Sequence, residues 1–148
     1  MVMSESTPSP VDTLPGSAVA VVSSVVLDTD DPRRLADFYA GLLGWQLGNV
    51  EEDWVDIAPS PGPAGWSAGV SRLAFQLVIN YAPPTWPSQT VPQQFHLDLR
   101  VADLDEGERA AVALGASRVS PAGEEGNSRV FLDPSGHPFC LTQAANWG

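Results

Sequence analysis

A chain of 148 residues with 43% apolar side chains can build one domain, or two small halves around a shared core, and little more. Eighteen acidic against seven basic residues give a formal charge of −11. Phosphate backbones and anionic bilayers repel such a surface, which argues against nucleic-acid and membrane partners. All seven basic residues are arginine, so Schiff-base chemistry and a P-loop lysine are also excluded.

Residues 1–17 are rich in Ser, Thr and Pro, carry no hydrophobic period, and read as a disordered tail. They lack the basic start and apolar core of a signal peptide, and the single Cys140 forms no internal disulfide. Both points lead to the expectation of a soluble cytoplasmic protein. Residues 19–29 are β-branched and strand-like. Asp31 then caps a helix with Pro32 in its first turn; Leu35, Phe38, Tyr39, Leu42 and Leu43 recur at helical spacing, and Gly44 stops it. Strands are expected from Trp45, over 53–58 and over 73–79, with a Pro/Gly loop through Trp66 between the last two.

Residues 82–92 hold four prolines in eleven positions, which predicts a stiff, extended connector. The pattern then restarts. Residues 95–101 alternate strictly, predicting a strand with Phe95, Leu97, Leu99 and Val101 toward the core and His96, Asp98 and Arg100 on the other face. Asp103 caps a second helix over 104–114, and short strands follow at 118–120, 128–132 and 138–143. The turn between them at 123–127 carries Glu124 and Glu125, which read as solvated. His96 precedes Asp103 by seven residues, as Ser24 precedes Asp31, and Leu-Gly closes both helices. The chain therefore reads as a doubled βαβββ unit, with modules at 18–81 and 93–145 forming one domain.

The Asp-Pro…Phe-Tyr…Leu-Leu-Gly-Trp helix (31–45), His-Leu-Asp-Leu-Arg-Val (96–101) and Leu-Asp-Pro-Ser-Gly-His-Pro-Phe-Cys-Leu (132–141) resemble the vicinal oxygen chelate superfamily. Within it the similarity is to the glyoxalase-like, bleomycin-resistance-like branch. The resemblance implies an α+β fold: a cupped eight-stranded mixed sheet with a helix outside each module, often as a homodimer. It also implies a small organic molecule bound in the cup, with lyase or isomerase chemistry through His96, or a non-enzymatic protein that sequesters an antibiotic or metabolite. Metal-using members take ligands from the first and last strands of each module. These positions hold Ser24, Gln76, His96 and Cys140, and only His96 is a typical ligand. Cys140 stands where the pattern has Glu, so a divalent metal is not favoured; if one binds, His96 and Gln76 are its ligands.

His96 is thus a metal ligand, a general base, or a hydrogen-bonded histidine lining the cup. Cys140, flanked by Phe139 and Leu141, reads as a small core residue. Asp98 and Arg100 form an internal ion pair, or Arg100 grips an anionic group of the ligand. Trp86 belongs to the rim of the cup or to a dimer contact, and Trp54 and Trp66 are open to the same readings. His137, in the Ser-Gly-His-Pro turn, is expected to be exposed and without a role.

Overall fold

The computed structural model describes residues 19–20, 22–59, 72–119 and 126–143. The expected tail, Trp66, Glu124 and Glu125 lie outside them. Ten elements follow one another as β1 (Val25–Thr29), α1 (Pro32–Leu43), β2 (Gln46–Val50), β3 (Trp54–Ala58), β4 (Leu73–Leu77), β5 (Leu97–Val101), α2 (Leu104–Leu114), β6 (Ser117–Arg118), β7 (Ser128–Leu132) and β8 (Pro138–Gln143). The doubled βαβββ order is present. Both helices start as their sequence dictates: the Asp31 carboxylate accepts the Arg34 N–H at 3.1 Å, and the Asp103 carboxylate accepts that of Glu106 at 2.9 Å. Gly44 closes α1 in a left-handed conformation, φ 68°.

Each module is a four-stranded mixed sheet, ordered β1-β4-β3-β2 in the first and β5-β8-β7-β6 in the second. In each, the opening strand pairs in parallel with the closing one: Leu27 opposite Phe75, and Leu99 opposite Leu141. The hydrogen-bonded ladders number two sheets of four rather than one of eight. β1 and β5 are both edge strands, and the side chains between them line a cavity described below.

One core serves both modules. Tyr39 of α1 stacks on Phe75 of β4 with ring centroids 5.7 Å apart, and its neighbour Phe38 lies 5.8 Å from Phe139 of β8. Phe131 and Phe139 stack at 5.6 Å. α1 also packs on α2, where Leu114 reaches Gly41. On the outer side of the second sheet, Arg118 and Arg129 tie the strands to α2 through Glu108 and Asp105, at 2.7 and 2.9 Å.

Three expectations need correction. Phe95 is not a core residue: β5 begins at Leu97, and Phe95 is 62% exposed. The register explains this, because Leu97 faces Phe139, and two residues earlier the partner strand has already become the turn at His137. Cys140 is half-buried on the face of β8 opposite Phe139 and Leu141, so it is not part of the core either. Nor does the proline connector run extended. It doubles back, with the Thr85 N–H donating to Val91 O at 2.7 Å, the Val91 N–H donating to Thr85 Oγ1 at 2.9 Å, and a cis Trp86–Pro87 bond within the loop.

Candidate functional site

Alternation along the edge strands decides what meets between the modules. On β1, Leu27 and Thr29 turn to the core, so Val26 and Asp28 face away from it. On β5 the same alternation turns Asp98 and Arg100 away from the core, with His96 just ahead of the strand. A cavity of about 270 Å³ opens between these edges. Val26 and Asp28 line one side, Phe95 and His96 the other. Tyr39 of α1, the turn residue His137, and Tyr81 and Gln93, which flank the connector, complete the wall. The lining is mostly apolar with a few polar groups, the usual make-up of a small-molecule site.

One buried carboxylate organises the polar part of this wall. Asp133 accepts the backbone N–H of Ser135 at 2.9 Å and of His137 at 3.0 Å on Oδ1. Its Oδ2 accepts the Tyr39 hydroxyl at 2.8 Å and lies 2.9 Å from His137 Nδ1. The far nitrogen of that ring, Nε2, is 3.2 Å from the Tyr81 oxygen, and the Tyr81 O–H donates to Ser135 O at 2.8 Å. His137 is therefore not exposed and without a role, as the turn alone predicted. It is mostly buried and linked to Asp133 and Tyr81. Burial, followed by the negative charge of Asp133, pushes both phenols upward, so Tyr39 and Tyr81 stay protonated donors at any physiological pH. Gly136 adopts φ 90°, and a Cβ there would stand 2.8 Å from Pro83, so only glycine lets the connector lie against this turn.

A second cluster forms where β5 and β8 pair. His96 Nε2 lies 3.2 Å from Asp98 Oδ1, and the Cys140 sulfur joins them, the three ligand atoms all within 4.8 Å of one another. Burial, then the adjacent Asp98 carboxylate, pushes the Cys140 thiol up to about 11. Imidazole, carboxylate and a sulfur that becomes thiolate on coordination suit a zinc-like cation, which would have to displace the thiol proton. The donors fit such an ion, but all three come from the second module. Asp98 pairs with His96 and not with Arg100, so the expected Asp98–Arg100 ion pair does not form.

In the first module Asp56 is buried on β3. It accepts from the Asn49 backbone N–H at 3.1 Å, from the Asn49 amide at 3.0 Å and from Trp54 Nε1 at 3.2 Å, with Arg72 at 3.6 Å. Burial alone would raise its pKa, but these donors and the guanidinium outweigh burial and hold it below the ordinary value. The tryptophan is thereby engaged in holding a carboxylate.

The residues singled out from sequence thus separate into groups. His96 lines the cavity, and Asp98 and Cys140 gather beside it. Gln76 sits on β4 opposite Asp28 of β1, exposed, and Ser24 is half-buried just ahead of β1. Arg100 is exposed and Trp86 half-buried, and neither contributes to the lining. Asp28, Tyr39, Tyr81 and His137 were not singled out as site residues. The Asp-x-x-x-His spacing of 133 and 137 was the one available signal, since it brings a carboxylate and a ring to one tight turn.

The glyoxalase-like domain model matches residues 24–142. Among curated proteins, a porphobilinogen deaminase from Burkholderia orbicola is 32% identical over 83 residues, 56% of this chain. The chain spans 24% of that protein's length. Similar solved structures include a glyoxalase/bleomycin resistance protein/dioxygenase family enzyme from Burkholderia phytofirmans (TM-score 0.60, 18% identity, covering 84% of this chain and 98% of that one). The fosfomycin resistance protein FosX from Mesorhizobium loti aligns with TM-score 0.58 and 16% identity over 86% and 93% of the two chains. The antibiotic-binding protein TnmS3 from a Streptomyces species aligns with TM-score 0.50 and 22% identity over 86% and 98%. These structural likenesses are of fold. With the domain model spanning both βαβββ modules, they show that the chain belongs to the glyoxalase-like family of the vicinal oxygen chelate superfamily.

Proposed function

We propose that the chain binds a small organic molecule in the cavity between its two modules, without needing a metal to do so. The reading rests on one observation: a 270 Å³ cavity at the module junction whose apolar wall carries polar groups held in place by Asp133. An engineered cavity of roughly 150 Å³ holds benzene, so a body of one or two rings matches this one. The fosfomycin resistance and antibiotic-binding proteins of the same fold lend support to sequestration of a drug or metabolite. A cytoplasmic homodimer is the form we assign it, on its single cysteine and its family; light scattering on the purified protein tests the dimer.

The test of binding is a thermal-shift screen with aromatic, drug-sized compounds before and after exhaustive chelation. A ligand at a hundred times its Kd stabilises the fold by about 2.7 kcal/mol. Hits that survive chelation and vanish in Tyr81→Ala support the reading. A screen with no hits overturns it.

A second reading, lyase or isomerase chemistry with His96 at its centre, is favoured by the convergence of His96, Asp98 and Cys140. A divalent cation held there would supply a Lewis acid for a substrate oxygen. Stoichiometric zinc retained by the purified protein and lost in His96→Ala supports this second reading, and absence of zinc after refolding in its presence rejects it.

A further inference from the structure

The polar groups around the cavity divide into those already engaged and those still open. Tyr39 donates to Asp133, Tyr81 donates to Ser135 O, His137 is held at both ring nitrogens, and His96 Nε2 lies against Asp98. One charged acceptor remains, beside the uncharged amides of Gln93 and Gln94. Asp28 has no hydrogen bond or ion pair among the described residues, and its strand position turns its carboxylate away from the core, on the cavity side. Among the described lining residues there is no arginine, and nearby Arg34 is turned to Asp30 and Pro134 O.

What would complete this wall therefore brings a positive charge. A neutral guest would leave the Asp28 charge uncompensated. An anion would meet that charge head-on in a half-enclosed, mostly apolar space, where like charges repel more strongly than in water. The rings of Tyr81 and Phe95 on the lining offer an organic cation further attraction. The upward push on the Tyr81 phenol agrees with this picture, because after burial its causes are the carboxylates of Asp133, Asp28 and Asp30. The field at the wall is negative.

We infer that the cavity receives an organic cation, a protonated amine or amidine on an apolar body of one or two rings, with Asp28 as its counter-charge. The inference rests on the binding reading above and narrows it to one chemical class. Isothermal titration at low salt with naphthylmethylamine, naphthylmethanol and naphthoate, matched in shape and differing in charge, tests it. The amine binds about tenfold or more tighter than the alcohol, and naphthoate binds most weakly. Asp28→Asn brings the amine down to the alcohol. Asp37→Asn, paired with Arg33 on the exposed face of α1, leaves it unchanged. Equal unliganded melting temperatures for wild type and Asp28→Asn establish that the loss is not one of folding; if Asp28→Asn melts early, the ranking of the three compounds on wild type carries the test. Alcohol or naphthoate binding as tightly as the amine overturns the inference while the binding reading stands, as does a preference that persists in Asp28→Asn. If no member of the trio binds, the inference fails, and the wider screen decides the binding reading separately.

Discussion

Asp133 is the residue whose loss reaches furthest. Its two oxygens receive Tyr39, His137 and two backbone amides in a buried setting. Replacing it with Ala strips four donors of their acceptor at once, and a cost of about 3–5 kcal/mol in urea denaturation is expected. Tyr39→Phe removes one donor and keeps the ring stacked on Phe75, so it costs about 1–2 kcal/mol. At Cys140 the prediction concerns rate. With its thiol pushed up to about 11, alkylation by iodoacetamide is slow at neutral pH and rises about tenfold per pH unit toward that value. Asp98→Asn removes the carboxylate that adds to burial in raising the thiol, so at a fixed neutral pH the variant alkylates faster than wild type. An unchanged rate would mean that the Asp98 charge does not reach the sulfur.

At the scale of elements, the helices were legible because their signals are local. Asp31, Pro32 and Gly44 mark the ends of α1, and the equivalent Asp and Gly mark α2. Asp31→Ala costs about 1 kcal/mol, checked by the urea midpoint. Strand ends were less legible, since a strand ends where its partner does. Phe95 continues the alternation of β5, but the turn at His137 leaves it nothing to pair with. The same turn hid the role of His137: its partner four residues back is local, but Tyr81 is 56 residues away, beyond any short-range pattern. The β2–β3 hairpin carries its own pH dependence. Asp56 has a folded pKa below its unfolded one, so its contribution is fully present above the ordinary carboxylate value of 3.8 and is lost as pH falls through the lower folded value. Wild type therefore loses stability in that acid window more steeply than Asp56→Asn, as read by urea midpoints across it. Gly48 lies against the same carboxylate so closely that a Cβ there meets Asp56 Oδ1, and Gly48→Ala lowers the melting temperature.

Across the whole molecule, α1 of the first module contributes Phe38 and Tyr39 to a core completed by Phe131 and Phe139 of the second. The doubled pattern along the chain predicted the architecture, but it could not say that the halves depend on one another. They share buried rings, so calorimetry is expected to show a single transition, and Phe139→Ala to lower it by about 3–5 kcal/mol without splitting it. Two separate transitions would show modules that melt independently.

The two ladders stop at β1 and β5, and the connector is the one stretch of backbone crossing from one module to the other. Parting these edges breaks no rung of either sheet; the resistance comes from ring packing beneath and from Thr29, Tyr39 and Tyr81, each hydrogen-bonded to the opposite turn. On the proposed binding reading this seam is the doorway, and its width is set by how tightly side chains grip across it. Once filled, the guest itself becomes part of the grip, and amide hydrogen exchange should slow first along this seam.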